Sequence, residues 1–226
     1  MRWLIAGVGV GVLLTLAWWQ WPPPSRWNAW APLNVDDQPN ALTSYKMMRL
    51  RGNPQLCAAA LATSGLTVHA QADSPAGQRC PLQNVLRVSG GPVELSSSFL
   101  ATCPLAVAFA LFERHGLQPA AMAAFNTRVV KVEHLGSFAC RNVYGRSQGR
   151  LSEHASANAL DIAGFRLADG RRISVLKEWD KGESGAFLHQ ARDAACQAFS
   201  TVLSPDYNAA HRNHFHLDMG GWSVCR

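Results

Sequence analysis

The chain has 226 residues, 48% of them hydrophobic and 16% charged. That is enough apolar material for one sizeable core and too much for a disordered chain. The formal net charge is +6 without any long run of Lys or Arg, which excludes the footprint of a nucleic-acid-binding protein and leaves a mild attraction to anionic surfaces such as cell-wall polymer or lipid headgroups.

In chain order, residues 1–21 come first. Arg2 is followed by a run from Trp3 to Trp19 with no charged residue. About 19 such residues form a helix of roughly 28 Å, close to the bilayer core. Trp3 at one end and Trp18, Trp19 and Trp21 at the other suit the two interfaces, and Pro22, Pro23 and Pro24 stop the helix. A cleaved signal peptide needs small residues just after the apolar core; Ala29-Trp30-Ala31 lies well beyond it. The expectation is one uncleaved transmembrane helix in a bacterial inner membrane, single-pass, with the rest of the chain facing the periplasm.

Residues 22–42 are rich in Pro, Trp, Asn and Asp and read as a linker or as a wrap over the domain formed by residues 43–226. Pro54 to Thr63 reads as a short helix. Asn84–Val88 and Pro92–Leu95 flank Gly90-Gly91 and suggest a hairpin. Leu105, Ala108, Phe109 and Phe112 recur at helical spacing, so a helix is expected from Cys103 to Arg114, ended by Gly116. Pro119 marks the first turn of the next helix, running to about Asn126. Arg128–Val132 alternates as a strand. Leu160–Leu167 and Arg171–Leu176 flank Asp169-Gly170, a strong hairpin signal. Ser184–Thr201 reads as a long amphipathic helix and Phe215–Met219 as a terminal strand. Without a βαβ rhythm, the fold class is α+β, a central antiparallel sheet with flanking helices.

The six cysteines, Cys57, Cys80, Cys103, Cys140, Cys196 and Cys225, contain no Cys-x-x-Cys pair. An even, scattered set fits up to three disulfides in an oxidising compartment, their pairing left open.

Two constellations carry chemistry. His211, His214 and His216 are clustered just before Asp218. Residues two apart on a strand share a face, so His214 and His216 point into one site. His211, on the preceding loop, reaches it only if that loop folds inward. His154 and Asp161 form the second group. Seven extended residues span roughly 23 Å, so sharing an ion held at about 2 Å per ligand requires the chain to fold back through Ala155–Asn158. Two histidines, one aspartate and an open fourth position describe a catalytic zinc site. Ser152 is placed to orient the His154 ring. Arg141, Arg146 and Arg150, just upstream, suit a substrate carboxylate or a developing oxyanion; the plainer alternative is three surface arginines in a glycine-containing loop. His69, His115, His134 and His189 read as ordinary polar residues.

The pattern Ser-x-His-x6-Asp followed by His-x-x-His-x-His resembles the LAS group of zinc peptidases, which includes D-Ala-D-Ala carboxypeptidases and penicillin-insensitive murein endopeptidases. The stretch from Cys140 through His154 to Phe165 resembles more closely the bacterial extensin-like C-terminal domain family, over about Tyr45 to Arg226. The resemblance implies a LAS/hedgehog-like fold and one Zn2+ bound by His154, Asp161 and His216, with His214 catalytic and His211 in support. It also implies a hydrolase acting on peptidoglycan peptides, or else a non-catalytic, zinc-stabilised wall-binding module. One position departs from the LAS pattern: Ala157 stands where Gly is usual. Nothing in the sequence points to an obligate protein partner.

Overall fold

The computed structural model describes residues 20, 23–75 and 78–226. The expected membrane anchor lies almost wholly outside them. Among the described residues no helix is long and apolar enough to cross a membrane.

Of the two readings of residues 22–42, the wrap fits the described residues. Leu33 and Val35 are buried in the core. The Val35 N–H donates to Thr63 Oγ1, and its carbonyl meets His115 Nε2. Helix α1 (Ala41–Arg49) begins at a capping box between Asn40 and Thr43, which satisfies two otherwise orphaned amides. Helix α2 (Pro54–Ala62) starts under an Asn53 cap with Pro in its first turn.

Strands β1 (Thr67–Ala70) and β2 (Val85–Gly90) follow. The hairpin expected at Gly90-Gly91 does not form. The edges of β2 are occupied by β1 and by the strand after next, whereas β3 (Glu94–Leu95) leaves to join a different sheet. Gly91 is needed for close packing: a Cβ there would lie 2.8 Å from Leu66 Cδ2. Strand β4 (Phe99–Thr102) completes the small antiparallel sheet β1-β2-β4.

Helix α3 (Cys103–Phe112) is buried at every position, as a helix apolar on all sides must be. Gly116 does not end it. A π-helical turn, Glu113–Leu117, carries the chain directly into α4 (Gln118–Phe125). A Cβ at Gly116 would sit 2.7 Å from Ala194 Cβ, so this glycine admits a neighbouring helix and caps nothing. Helix α4 ends at Asn126, in the left-handed conformation with φ 50° typical of helix C-termini.

The larger sheet holds β5 (Val129–Gly136), β6 (Ala159–Leu167), β7 (Arg172–Ser174), β8 (Thr201–Leu203), β9 (Phe215–Asp218) and β10 (Val224–Cys225). Its order is β10-β8-β9-β6-β5-β3, with β7 paired to β6 beside that path. The inner pairs are antiparallel, but β10–β8 and β3–β5 at the two edges are parallel. The fold class is α+β as expected, with a mixed sheet in place of a purely antiparallel one. The β6–β7 hairpin turns at Asp169-Gly170 as its sequence demands. After the short α5 (Val175–Glu178), helix α6 (Gly182–Ala198) buries Phe187, Leu188, Ala191 and Ala195, a helical stripe that faces the core.

All six cysteines are paired. Cys57–Cys103 joins α2 to α3, Cys80–Cys140 joins the β1–β2 connection to the segment after β5, and Cys196–Cys225 joins α6 to β10.

Candidate metal centre

The site is assembled by one strand pair and one turn. In the β6–β9 ladder, Asp161 is the register partner of His216. Directly opposed residues place their Cβ atoms about 5 Å apart, so the sheet itself brings this pair together. His154 arrives by the fold-back that its spacing requires. Ser152 caps a 3-10 turn, Glu153–Ser156, and Ala157 then adopts the left-handed conformation at φ 54°. This is the position where the LAS pattern has Gly, and the Ala is fully buried there. Asn158 holds the turn by donating to Glu153 and accepting from Thr102 Oγ1.

His154 Nε2 lies 3.1 Å from Asp161 Oδ1 and 3.1 Å from His216 Nδ1; His216 Nδ1 lies 2.9 Å from Asp161 Oδ1. A tetrahedral site with ligands about 2 Å from its ion has edges of roughly 3.3 Å. The triangle fits one zinc ion, and its donor set, two imidazoles and a carboxylate, is one that zinc favours.

The far side of each imidazole is fixed. His154 Nδ1 donates to the Ser137 carbonyl at 3.0 Å, and His216 Nε2 donates to Asp218 Oδ2 at 3.0 Å. These contacts direct the other nitrogen of each ring into the site, as outer partners of metal-binding histidines do. Ser152 does not orient the His154 ring: its Oγ accepts from the His154 backbone N–H. The Asp218 role was open to sequence reasoning, since His216 and Asp218 share a strand face. The Ser137 role was not, because a backbone carbonyl leaves no trace in residue type.

Burial raises the pKa of Asp161, but hydrogen bonds from His154 and His216 outweigh it and hold the group well below the usual carboxylate range. Burial lowers that of His216, but hydrogen bonds to Asp161 and Asp218 lift it to about 9. For His211, burial and then the charges of His216 and His214 push it down to about 4. Burial likewise lowers that of His214.

His214 lies one residue before β9, in a turn closed by its own N–H to the His211 carbonyl. Its Nε2 is 3.6 Å from Asp161 Oδ1, and its Nδ1 donates to Asn213 Oδ1 at 2.8 Å. It stands beside the ligand triangle and is not one of its corners. The loop folds inward at His211, whose ring centre is 5.9 Å from that of His216 and whose Nδ1 is held by Asn208. Above these side chains opens a cleft of about 640 Å³. Arg141 and Arg150 line it, with Tyr144, Tyr207 and Trp222 also at its walls. Neither arginine is paired with a carboxylate among the described residues. Arg146 does not line the cleft; its guanidinium stacks over Tyr144 at 5.8 Å. The aromatic walls escaped sequence reasoning because single tyrosines and tryptophans carry no spacing signal.

Fold and site together define an α+β domain with a His–Asp–His cluster at the floor of a basic and aromatic cleft. The chain belongs to the family described as extensin-like protein C-terminus, whose model matches residues 55–226. No curated protein and no solved structure matches the chain.

Proposed function

We propose that this protein is a zinc-dependent hydrolase that cleaves peptide cross-links or stem peptides of peptidoglycan, built on a LAS-like scaffold and held at a bacterial inner membrane with its domain in the periplasm. The observation that carries the reading is the ligand triangle of His154, Asp161 and His216, open on one side to a cleft. A zinc ion there supplies a Lewis acid that polarises a carbonyl and acidifies water. His214 takes the proton of the attacking water on Nε2, because its Nδ1–H is engaged by Asn213, and passes it to the leaving amine. His211 is neutral with its proton on Nδ1, engaged by Asn208 Oδ1, so its bare Nε2 cannot donate to the developing oxyanion. It supports the loop behind His214, and the oxyanion charge falls to the zinc ion and to an arginine of the cleft wall. Arg141 and Arg150 receive the carboxylate of the peptide, a charge-assisted contact that water in the open cleft weakens but does not abolish.

The test separates ligand from base. His216→Ala is expected to lose zinc, since removing a ligand dismantles the triangle. His214→Ala is expected to keep near-stoichiometric zinc and lose about 10²–10⁴-fold in hydrolysis, the usual contribution of a general base. Metal content by atomic spectroscopy and product masses from cross-linked muropeptides measure both. A parent protein that holds zinc yet cleaves no wall peptide points instead to a wall-binding module. Zinc lost in His214→Ala and retained in His216→Ala defeats the ligand assignment.

A further inference from the structure

We infer that the face formed by Trp27, Trp30, Tyr45, Met48, Arg26 and Arg49 lies against a bilayer surface carrying anionic phospholipid. Trp27 is 55% exposed, Trp30 73% and Met48 59%. Large apolar side chains this open, gathered in one place, mark an interaction surface. Tyr45, Met48 and Trp30 are gathered by helix geometry and by one guanidinium, and the turn that carries Trp27 is tied to the same helix by Lys46 Nζ, which donates to the Ser25 carbonyl. Tyr45, Met48 and Arg49 stand at i, i+3 and i+4 on α1, and therefore on one side of it. Arg49 lies 5.8 Å from the Trp30 ring and 5.9 Å from the Tyr45 ring, and Arg26 lies 6.0 Å from that of Trp27. Arg49 is fixed in this role by donating to the Ala29 carbonyl.

The composition, tryptophan and tyrosine with arginine, is that of side chains that settle at the headgroup level, apolar ring inward and charge outward. The choice of occupant rests on the proposed membrane anchor. The uncharged run from Trp3 to Trp19 ends only a few residues before Trp27, so a bilayer that receives that run has its surface within reach of this face. Arg26 and Arg49 complement anionic headgroups by charge. Asp37 does not oppose this, being engaged by the Ser25 hydroxyl and by the charge of Lys46.

The test uses the full chain in nanodiscs of phosphatidylcholine with or without phosphatidylglycerol. Hydroxyl-radical footprinting with mass spectrometry compares Trp30 with Trp222, which is 66% exposed, and Met48 with Met122, which is 44% exposed. Exposure alone gives Trp30 and Trp222 similar oxidation and makes Met48 the faster methionine. A covered face lowers both ratios severalfold in anionic nanodiscs. The effect is weaker in neutral ones and is partly reversed by Arg26→Glu, a substitution at an exposed side chain. Ratios that follow exposure alone in anionic nanodiscs overturn the proposal, as does a chain that neither enters the nanodiscs nor is protected by anionic vesicles. Protection by purified sacculi and not by lipid assigns the face to wall polymer, and overturns it too.

Discussion

His216 meets two carboxylates, Asp161 through Nδ1 and Asp218 through Nε2, and this has consequences for protons. Its pKa of about 9 makes it an imidazolium at neutral pH in the metal-free protein. Zinc takes only the neutral ring, so uptake at neutral pH is expected to release about one proton, and affinity to rise with pH up to about 9. Titration calorimetry in buffers of different ionisation enthalpy measures this; a heat independent of buffer contradicts it. Stability of the metal-free protein follows the opposite sense. A histidine raised from about 6.5 to about 9 contributes stability that is full below pH 6.5 and lost as pH rises through 9. His211, lowered to about 4, contributes stability present above its unfolded pKa and lost as pH falls through 4. Thermal melts of the metal-free protein should therefore decline on both sides of neutrality. Asp218→Asn keeps a hydrogen-bond acceptor near His216 but removes the charge, and is expected to weaken zinc binding about 10–100-fold, read by competition with a chelating dye.

Among the elements, those with a complete local pattern were legible. Helix α6 shows its apolar stripe, and the β6–β7 hairpin has Asp-Gly at its turn. His154, Asp161 and the cluster of His211, His214 and His216 were legible as candidate ligands for the same reason, whereas the choice of His216 over His214 followed from the family resemblance; the structure brings His154, Asp161 and His216 together. What failed was decided by distant neighbours. The Gly116 stop was overruled because α6 packs so close that a Cβ has no room. The Gly90-Gly91 hairpin was overruled because β2 already has a strand on each side. Strands β8 and β10 are too short to display alternation and exist through their sheet partners. Gly116→Ala forces α3–α4 and α6 apart and is expected to cost about 1–3 kcal/mol, typical of overpacking, seen as a lower urea midpoint. The Cys80–Cys140 bridge lies next to the arginine-bearing segment. Replacing both cysteines by serine removes a covalent staple that typically contributes about 2–4 kcal/mol. Zinc should be retained but bound more weakly, because no ligand lies on the bridged segment while Ser137, whose carbonyl holds His154 Nδ1, does. Complete loss of zinc in that variant, with the fold intact by circular dichroism, contradicts this.

On the scale of the whole molecule, covalent pairing and the sequence of residues 1–21 bear on the same question of compartment. Six cysteines in three bridges suit a chain that matures outside the reducing cytoplasm. The only positive charge before the apolar run is at the N-terminus, and positive flanks stay on the cytoplasmic side. The two arguments are independent, since one rests on redox chemistry and the other on charge and hydropathy, and both support the proposal that the candidate metal centre faces the periplasm. An alkaline phosphatase reporter fused after Arg226 is therefore expected to be active, because that enzyme matures only where its own disulfides form. The chain should remain with the membrane through an alkaline carbonate wash, which strips peripheral proteins, and its intact mass should include residues 1–21. A mass that begins beyond residue 20 rejects the anchor while leaving export intact. An inactive reporter, together with six free thiols in the denatured, unreduced protein, rejects export itself, and with it peptidoglycan as the substrate.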